Sequence, residues 1–196
     1  MQQPYFTHLY IHVPFCSAKC GYCVFYSIPA PLLHVRRKYL MRLNSELKKF
    51  EKNLHACRTV FVGGGTPSLL NTHELKRFFE TLANTVSLGD CDELTVECNP
   101  DSLDPAKIAL LQSFGVSRIS LGIQTFVPEY RRLLQRHGDC ENTPELIACC
   151  QANGINNLNA DLIYGIPGQT LDSWERDLDS ALTLWINHLS TYALTY

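Results

Sequence analysis

Three cysteines in one short stretch are the residues of this sequence whose types and spacing most clearly allow chemistry. Cys16, Cys20 and Cys23 are separated by three residues and then by two, and they follow a short apolar segment that is predicted to be a strand. Three thiolates in one loop can ligate three irons of a cubane iron–sulfur cluster and leave the fourth iron open to another ligand. The spacing therefore predicts a [4Fe-4S] cluster with a reactive open iron.

Two other interpretations of these cysteines stay open on spacing alone. They could be small buried residues, because free cysteine behaves as a small hydrophobe. They could also belong to a zinc site, although structural zinc normally takes four protein ligands and only His12 could be considered as a fourth. The other cysteines show no spacing typical of a second cluster, and buried thiols are the better interpretation for them. They are Cys57, Cys91, Cys98, Cys140, Cys149 and Cys150.

A run of glycines, Gly63 to Gly65, comes directly after a second apolar segment and is followed by Thr66 and Pro67. Because glycine carries no side chain, such a backbone can approach a bound ligand closely. A tight connection between two elements would explain the run equally well. It has neither the lysine of a P-loop nor the spacing of a dinucleotide fingerprint, so the sequence gives no support to nucleotide phosphate binding.

Polar residues recur where predicted strands end. Glu97 and Gln124 follow the third and fourth strands, and Asp161 lies in the fifth. In barrels of parallel strands the site lies at the carboxyl ends, so these side chains are expected to converge on one mouth. Each also has an ordinary explanation. The carboxylates could cap loops, Gln124 could satisfy buried backbone groups, and Arg136 could lie on a solvated helix face.

The elements that must position these residues alternate between short apolar runs and longer segments of helical period. This alternation predicts repeated βα units and an α/β fold with a parallel sheet. Six strands are predicted, at 9–13, 59–62, 94–98, 118–121, 158–163 and 189–194.

Helices are predicted between these strands from apolar spacing and capping residues. Asp104 as N-cap with Pro105 begins one helix, which Gly115 ends, and Thr143 and Thr170 begin two more in the same way. The apolar stripe of the first helix comprises Leu40, Leu43, Leu47, Phe50 and Leu54. The last helix is expected to carry Leu171, Trp174, Leu178 and Trp185.

Composition and charge narrow the class of protein. The chain has 196 residues, of which 45% are hydrophobic, and this length favours one domain. Its formal net charge is -2. This charge gives no electrostatic reason to expect nucleic acid as a partner. No window approaches the roughly 18 apolar residues of a membrane span, and no signal peptide is recognisable. We therefore expect a cytoplasmic protein without a transmembrane segment, in a compartment where thiols stay reduced.

The cysteine arrangement, with Tyr22 before the third cysteine, resembles the radical S-adenosylmethionine (SAM) superfamily. In that superfamily the amino and carboxylate groups of SAM chelate the open iron. An electron from the cluster cleaves SAM to methionine and a 5'-deoxyadenosyl radical, which abstracts hydrogen from a substrate. The resemblance implies a [4Fe-4S] cluster on Cys16, Cys20 and Cys23, SAM as a second cofactor, and a parallel, partial (βα)6 TIM-like barrel.

Longer motifs, which begin at Tyr10, Gly63, Glu97, Arg118 and Asp161, resemble the oxygen-independent coproporphyrinogen III oxidase family from about Tyr10 to the end of the chain. The resemblance implies that residues 1–196 are a radical SAM core domain, truncated before the C-terminal domain of the family. It also implies a set of residues that line the SAM sites. They are Tyr10, Tyr22, Gly64, Gly65, Thr66, Glu97, Gln124, Arg136 and Asp161.

That family has two main branches with different functions. The true oxidases oxidatively decarboxylate two propionates of coproporphyrinogen III in porphyrin biosynthesis. The HemW-type proteins are haem chaperones, which bind haem and pass it to haem-dependent client proteins. Haem or a porphyrinogen is therefore the expected further ligand.

The sequence favours the haem chaperone branch. True oxidases carry a further cysteine two positions after the third ligand, where this chain has Phe25, and a longer arm before the cluster loop than the 15 residues that precede Cys16. The missing cysteine speaks against oxidase activity. Val24 departs from the chaperone pattern, which usually has Asp there. The oxidase is the second interpretation, and another radical SAM enzyme, such as a methyltransferase or cyclase, is the third.

Overall fold

The computed structural model describes residues 5–138 and 140–195, and these residues form an α/β fold built on a parallel sheet. The strands of that sheet are β1 (His8–Val13), β4 (Thr59–Gly64), β5 (Glu93–Cys98), β6 (Arg118–Gln124), β7 (Asn157–Tyr164) and β8 (His188–Ala193). Two short strands, β2 (Phe15–Cys16) and β3 (Ile28–Pro29), pair with each other in the loop after β1. All six strands predicted from the sequence are confirmed, and β6 extends three residues further than predicted.

Helices alternate with the strands. They are α1 (Leu33–Leu54), α2 (Thr72–Ala83), α3 (Pro105–Ser113), α4 (Pro128–Leu133), α5 (Thr143–Ala152) and α6 (Leu171–Thr183). The first, third, fifth and sixth were expected from the sequence, whereas α2 and α4 were not. None of the helices in the described ranges is long and apolar enough to cross a membrane.

The sheet order follows the chain, as β1-β4-β5-β6-β7-β8, and every neighbouring pair is parallel. Parallel neighbours need a crossover connection, which the intervening helices supply in most cases. Within residues 5–138 and 140–195 no pairing between β1 and β8 is found. This arrangement is the predicted partial βα barrel, and it brings the carboxyl ends of all six strands to one edge.

The two faces of the sheet differ in chemistry because successive side chains of a strand alternate between them. One face packs against the helices and is fully apolar at its centre, with Val62, Val96 and Leu162 each at most 1% exposed. The opposite face lines the inside of the partial barrel and is polar. It carries His12, Glu97, Ser120, Asn159, Asp161 and Ser190. The polar side chains that the sheet itself offers for chemistry therefore lie on the inner face.

The predicted helix starts are confirmed at two of three positions. The side chain of Asp104 accepts a hydrogen bond from the Lys107 amide at 2.8 Å, and Thr170 forms a capping box with Ser173. The third start is wrong by one residue, since Asn142 precedes α5 and Thr143 is its first residue. The Thr143 hydroxyl donates to the Cys140 carbonyl instead of accepting from the helix.

Two predicted apolar positions are corrected by the structure. Trp185 lies beyond the end of α6, has a positive φ of 59° and is 82% exposed. The helical period no longer applies there, because the helix has ended at Thr183. Phe50 is 47% exposed on α1, where its ring lies edge-on to Phe6 instead of entering the core.

Candidate functional site

A cavity of about 400 Å³ opens at the carboxyl-terminal edge of the sheet. The loop after β1, the glycine turn after β4 and the strand ends of β5, β6 and β7 form its wall. The structure brings together there nearly all of the residues predicted from the sequence. Those that line it are Cys16, Cys20, Tyr22, Cys23, Gly64, Gly65, Thr66, Glu97, Gln124, Arg136 and Asp161.

Tyr10 is the predicted site residue that the structure leaves outside this cavity. It lies on β1 two residues before His12, farther from the carboxyl edge, and is 57% exposed. Its hydroxyl is hydrogen-bonded to His12 Nδ1 at 2.9 Å, and its ring lies beside Phe61. In this structure Tyr10 supports His12 and does not itself reach the cavity.

The cysteine loop is fixed at its base and at its tip. At the base, the amide of Ile28 donates to the Pro14 carbonyl at 2.6 Å as β2 pairs with β3. At the tip, the Gly21 amide donates to the Leu134 carbonyl at 3.1 Å, and His12 Nε2 contacts the Tyr26 carbonyl at 2.9 Å. These contacts hold three partly exposed thiols at the cavity.

The cysteines of the loop suit a cluster better than the two alternatives. Cys16, Cys20 and Cys23 are free and only partly buried, whereas the side chains of Cys98 and Cys150 are almost completely buried. Within the described part of the chain, no three His, Cys, Asp or Glu side chains converge on a single metal ion, so zinc gains no support. A cubane cluster needs no such convergence, because each thiolate ligates a different iron.

Two side chains donate hydrogen bonds to the sulfurs of the loop. Thr66 Oγ1 lies 3.8 Å from Cys16 Sγ, and Arg136 Nη1 lies 3.7 Å from Cys20 Sγ. Burial raises the pKa of the Cys16 thiol, and the Thr66 hydroxyl partly offsets this rise. Donors at thiolate sulfur stabilise its negative charge, so the Thr66 hydroxyl works against the effect of burial at Cys16 without outweighing it.

Asn99 is a functional residue that the sequence interpretation missed. Its side chain accepts from Arg136 Nη2 at 2.6 Å and donates to Thr66 Oγ1 at 3.2 Å, and so joins the two residues that contact sulfur. Asn99 also lines the cavity. The signal was present, because Asn99 directly follows a predicted strand at the edge where the site forms.

The glycine turn is required by packing as well as by the cavity. A side chain at Gly65 would place its Cβ 2.7 Å from the Phe15 carbonyl oxygen. The Gly65 amide donates to the Val13 carbonyl, and the Thr66 amide donates to the Phe15 carbonyl. Gly64 has a φ of +111°, a conformation in which a Cβ is costly. The turn thus locks β4 to the start of the cysteine loop.

Two partly buried carboxylates face the cavity from neighbouring strands. Glu97 accepts from the Gly64 amide at 2.8 Å, and Asp161 accepts from Ser120 Oγ at 3.1 Å. Burial raises the pKa of both carboxyl groups, and these hydrogen bonds offset only part of the rise. Such groups are destabilised as anions and would gain from a cationic or hydroxyl-bearing ligand.

The raised pKa of Glu97 predicts a pH dependence of stability. Because the folded state holds this proton more tightly than the unfolded state, the contribution of Glu97 to stability is greatest below about pH 4 and is lost as pH rises through the raised pKa. Glu97→Gln removes this titration. The unfolding free energy of the variant minus that of the parent, from urea titrations, should therefore rise with pH above about 4. A difference that is constant with pH would contradict the raised pKa.

Gln124 enters the cavity from a strained backbone. Its φ is +71°, and the pairing of β6 with β7 shifts register between Gly122 and Gln124. A non-glycine residue in this conformation is uncommon and is concentrated at functional sites. The irregularity ends regular pairing at the cavity and directs the Gln124 side chain towards it. Sequence alone gave no sign of this backbone.

Asn159 is the centre of a polar network on the inner face, and the sequence interpretation missed it. It is fully buried, and its Nδ2 donates to Ser120 Oγ at 2.7 Å and to Asp161 Oδ1 at 2.9 Å. Its Oδ1 accepts from Ser190 Oγ at 3.1 Å and also contacts His188. The network joins β6, β7 and β8 and orients Asp161.

Asn159→Ala should destabilise the protein by about 1–3 kcal/mol, because it leaves buried hydroxyl and carboxylate groups without their partner. Urea unfolding monitored by circular dichroism measures this change. The matched control is Asn156→Ala, since Asn156 is exposed on a loop and its loss should have little effect. Equal stabilities of the two variants would show that the network contributes nothing.

The fold and the cavity define a class of protein, and comparison with known families identifies it. The model of the radical SAM superfamily matches residues 10–181, so the chain belongs to this superfamily. Among curated proteins it is similar to the heme chaperone HemW of Buchnera aphidicola subsp. Acyrthosiphon pisum, at 35% identity, and to that of Mycobacterium tuberculosis, at 36%. The alignments cover 95% of this chain, and 50% and 49% of the relatives. The chain thus spans about half the length of the curated relatives it matches.

Solved structures agree with this placement. The coproporphyrinogen III oxidase HemN from Escherichia coli superposes with a TM-score of 0.89 at 29% identity, over 98% of this chain and 45% of that one. The methyltransferase TsrM from Kitasatospora setae gives a TM-score of 0.70 at 16% identity, over 91% of this chain and 34% of that one, a likeness of fold alone. The curated relatives and the HemN structure together support the HemW-type branch.

Proposed function

We propose that this chain is the cluster- and SAM-binding core of a haem chaperone, which binds haem and delivers it to haem-dependent client proteins. The observation that carries the proposal is one cavity that joins Cys16, Cys20 and Cys23 to partly buried polar side chains at three strand ends. The similarity to heme chaperones along 95% of the chain supports the choice of branch.

In this proposal Cys16, Cys20 and Cys23 hold a [4Fe-4S] cluster, and SAM lies between the cluster and the strand ends. Bound together, the two cofactors supply radical chemistry that begins with the reductive cleavage of SAM. The chain's own residues bind and orient. Glu97 can accept hydrogen bonds from an ammonium group and Asp161 from hydroxyl groups, while the other proposed SAM contacts are Tyr22, Gly64, Gly65, Thr66, Gln124 and Arg136.

Haem binding is supported by the branch and by the surface beside the cavity. Phe25 stands where true oxidases are expected to have a further cysteine. Val24, Phe25 and Tyr26 are 88%, 66% and 70% exposed, and the first two line the cavity. Such an apolar rim suits contact with a large apolar ligand.

The second candidate function is oxygen-independent coproporphyrinogen III oxidation, which the TM-score of 0.89 with the solved oxidase favours. The SAM-binding parts of the site would be the same in both functions. What separates them is the product, because a chaperone releases haem unchanged whereas an oxidase removes two carboxyl groups.

The proposal extends to domain organisation and location. The family match over residues 10–181 supports a radical SAM core that occupies most of this chain. A cytoplasmic location is proposed because the site depends on reduced thiols at Cys16, Cys20 and Cys23.

The test uses the chain in its full natural sequence, with an anaerobically reconstituted cluster. SAM, reductant and coproporphyrinogen III are then added. Mass spectrometry follows the products, and haem titration is monitored by absorbance in parallel. We expect saturable haem binding and no decarboxylation. Loss of two carboxyl groups would establish the oxidase, and absence of both results would leave neither function standing.

A further inference from the structure

Two of the residues expected to contact SAM lie against cysteine sulfur in this structure. Thr66 donates to Cys16 and Arg136 to Cys20, as described above. Both residues are hydrogen-bond donors, and both lie far from the cysteine loop in sequence. A purely SAM-binding role does not require any of these sulfur contacts.

The donors are held in place by their own partners. Arg136 Nη2 donates to the Gly122 carbonyl at 2.5 Å and to Asn99 Oδ1 at 2.6 Å, so its Nη1 is aimed at Cys20 by two fixed acceptors. Thr66 Oγ1 accepts from Asn99 Nδ2 at 3.2 Å, which leaves its own proton for Cys16. Asn99 therefore aligns both sulfur donors at once.

Cys16 has a second hydroxyl nearby. Ser27 lines the cavity, and its buried Oγ makes no hydrogen bond of good geometry within the described residues. Ser27 and Cys16 line the same cavity from the two ends of the cysteine loop. A buried hydroxyl without a partner is costly unless it finds an acceptor, and a negatively charged sulfur is the acceptor at hand.

We propose that Thr66 and Arg136, both aligned by Asn99, set the reduction potential of the cluster through hydrogen bonds to Cys16 and Cys20. Ser27 is a further donor for Cys16. The inference rests on the proposed cluster. A reduced cluster carries one more negative charge, so donors and a guanidinium at its sulfurs favour the reduced form and raise the potential. In this view the residues are positioning residues for electron uptake as well as contacts for SAM.

The test is a potentiometric titration of the reconstituted cluster, followed by electron paramagnetic resonance in the absence of SAM. Thr66→Val keeps the shape and removes the donor, and Thr66→Ser restores it. At a fixed potential near the parent midpoint, Thr66→Val should lower the ratio of reduced to oxidised cluster about tenfold, or about 59 mV for a one-electron couple. Thr66→Ser should lie close to the parent.

Controls separate this inference from the proposed function. Thr85→Val removes a buried hydroxyl just beyond the end of α2, which donates to the Thr81 carbonyl, and should leave the potential unchanged. Arg136→Gln is an independent second variant, and it too should lower the potential. If Thr66→Val and Arg136→Gln each hold a full cluster and have the same reduction potential as the parent, this inference is wrong, and the proposed function is unaffected. Failure of the parent protein to hold any cluster would overturn the proposed function as well.

Discussion

Alanine at any one of Cys16, Cys20 or Cys23 is expected to abolish the full [4Fe-4S] cluster. Each thiolate ligates a separate iron, so the loss of one leaves an iron without its protein ligand. Anaerobically reconstituted parent protein should hold about four irons per chain, and each variant should lose the brown absorbance and most of that iron. Iron and sulfide analysis together with absorbance spectra measure the change.

A matched control distinguishes ligation from a general effect of losing a thiol. Cys91 is also partly buried and free, but it lies outside the cavity and contacts the Cys57 carbonyl. Cys91→Ala should therefore keep a full cluster. Full clusters in all three variants of the loop would contradict the assignment of these cysteines as ligands.

Gly65→Ala is the second substitution with a large expected effect. Its Cβ would lie 2.7 Å from the Phe15 carbonyl oxygen and 2.8 Å from the Phe15 amide nitrogen, and these backbone atoms cannot swing aside as a side chain can. Relief of the clash must separate β4 from the start of the cysteine loop. We expect a loss of about 1–3 kcal/mol in unfolding free energy, together with weaker retention of the cluster.

Gly89→Ala is the control for this effect. A Cβ at Gly89 would meet nothing within 4 Å, and Gly89 does not have a positive φ, so this variant should unfold like the parent. Urea unfolding and iron content are measured on both variants. Parent-like stability and iron content in Gly65→Ala would show that the close approach of the two backbones has no consequence.

The sequence predicted the fold well because alternation and capping are local signals. The strands carry apolar residues at every position that meets the helices, and Asp104 and Thr170 cap as their residue types predict. The failures have local causes too. The stripe that includes Trp185 continues past the end of α6, where the backbone turns to positive φ and the period no longer places side chains.

The site was predicted less completely than the fold. Residue type and position at strand ends were enough to bring Glu97 and Asp161 to one cavity. Asn159 was missed although Asn157, Asn159 and Asp161 alternate with apolar residues along its strand, a pattern that marks the inner face. The backbone of Gln124 and the aim of Arg136 at Cys20 arise from tertiary contacts, which no local pattern encodes.

The most direct test of the proposed cluster and SAM site is the electron paramagnetic resonance spectrum of the reduced, reconstituted protein before and after addition of SAM. If three cysteines leave one iron open at a cavity that binds SAM, the spectrum should change on addition of SAM, and Glu97→Gln should require more SAM for the same change. A full cluster whose spectrum does not respond to SAM at any concentration would contradict the shared site.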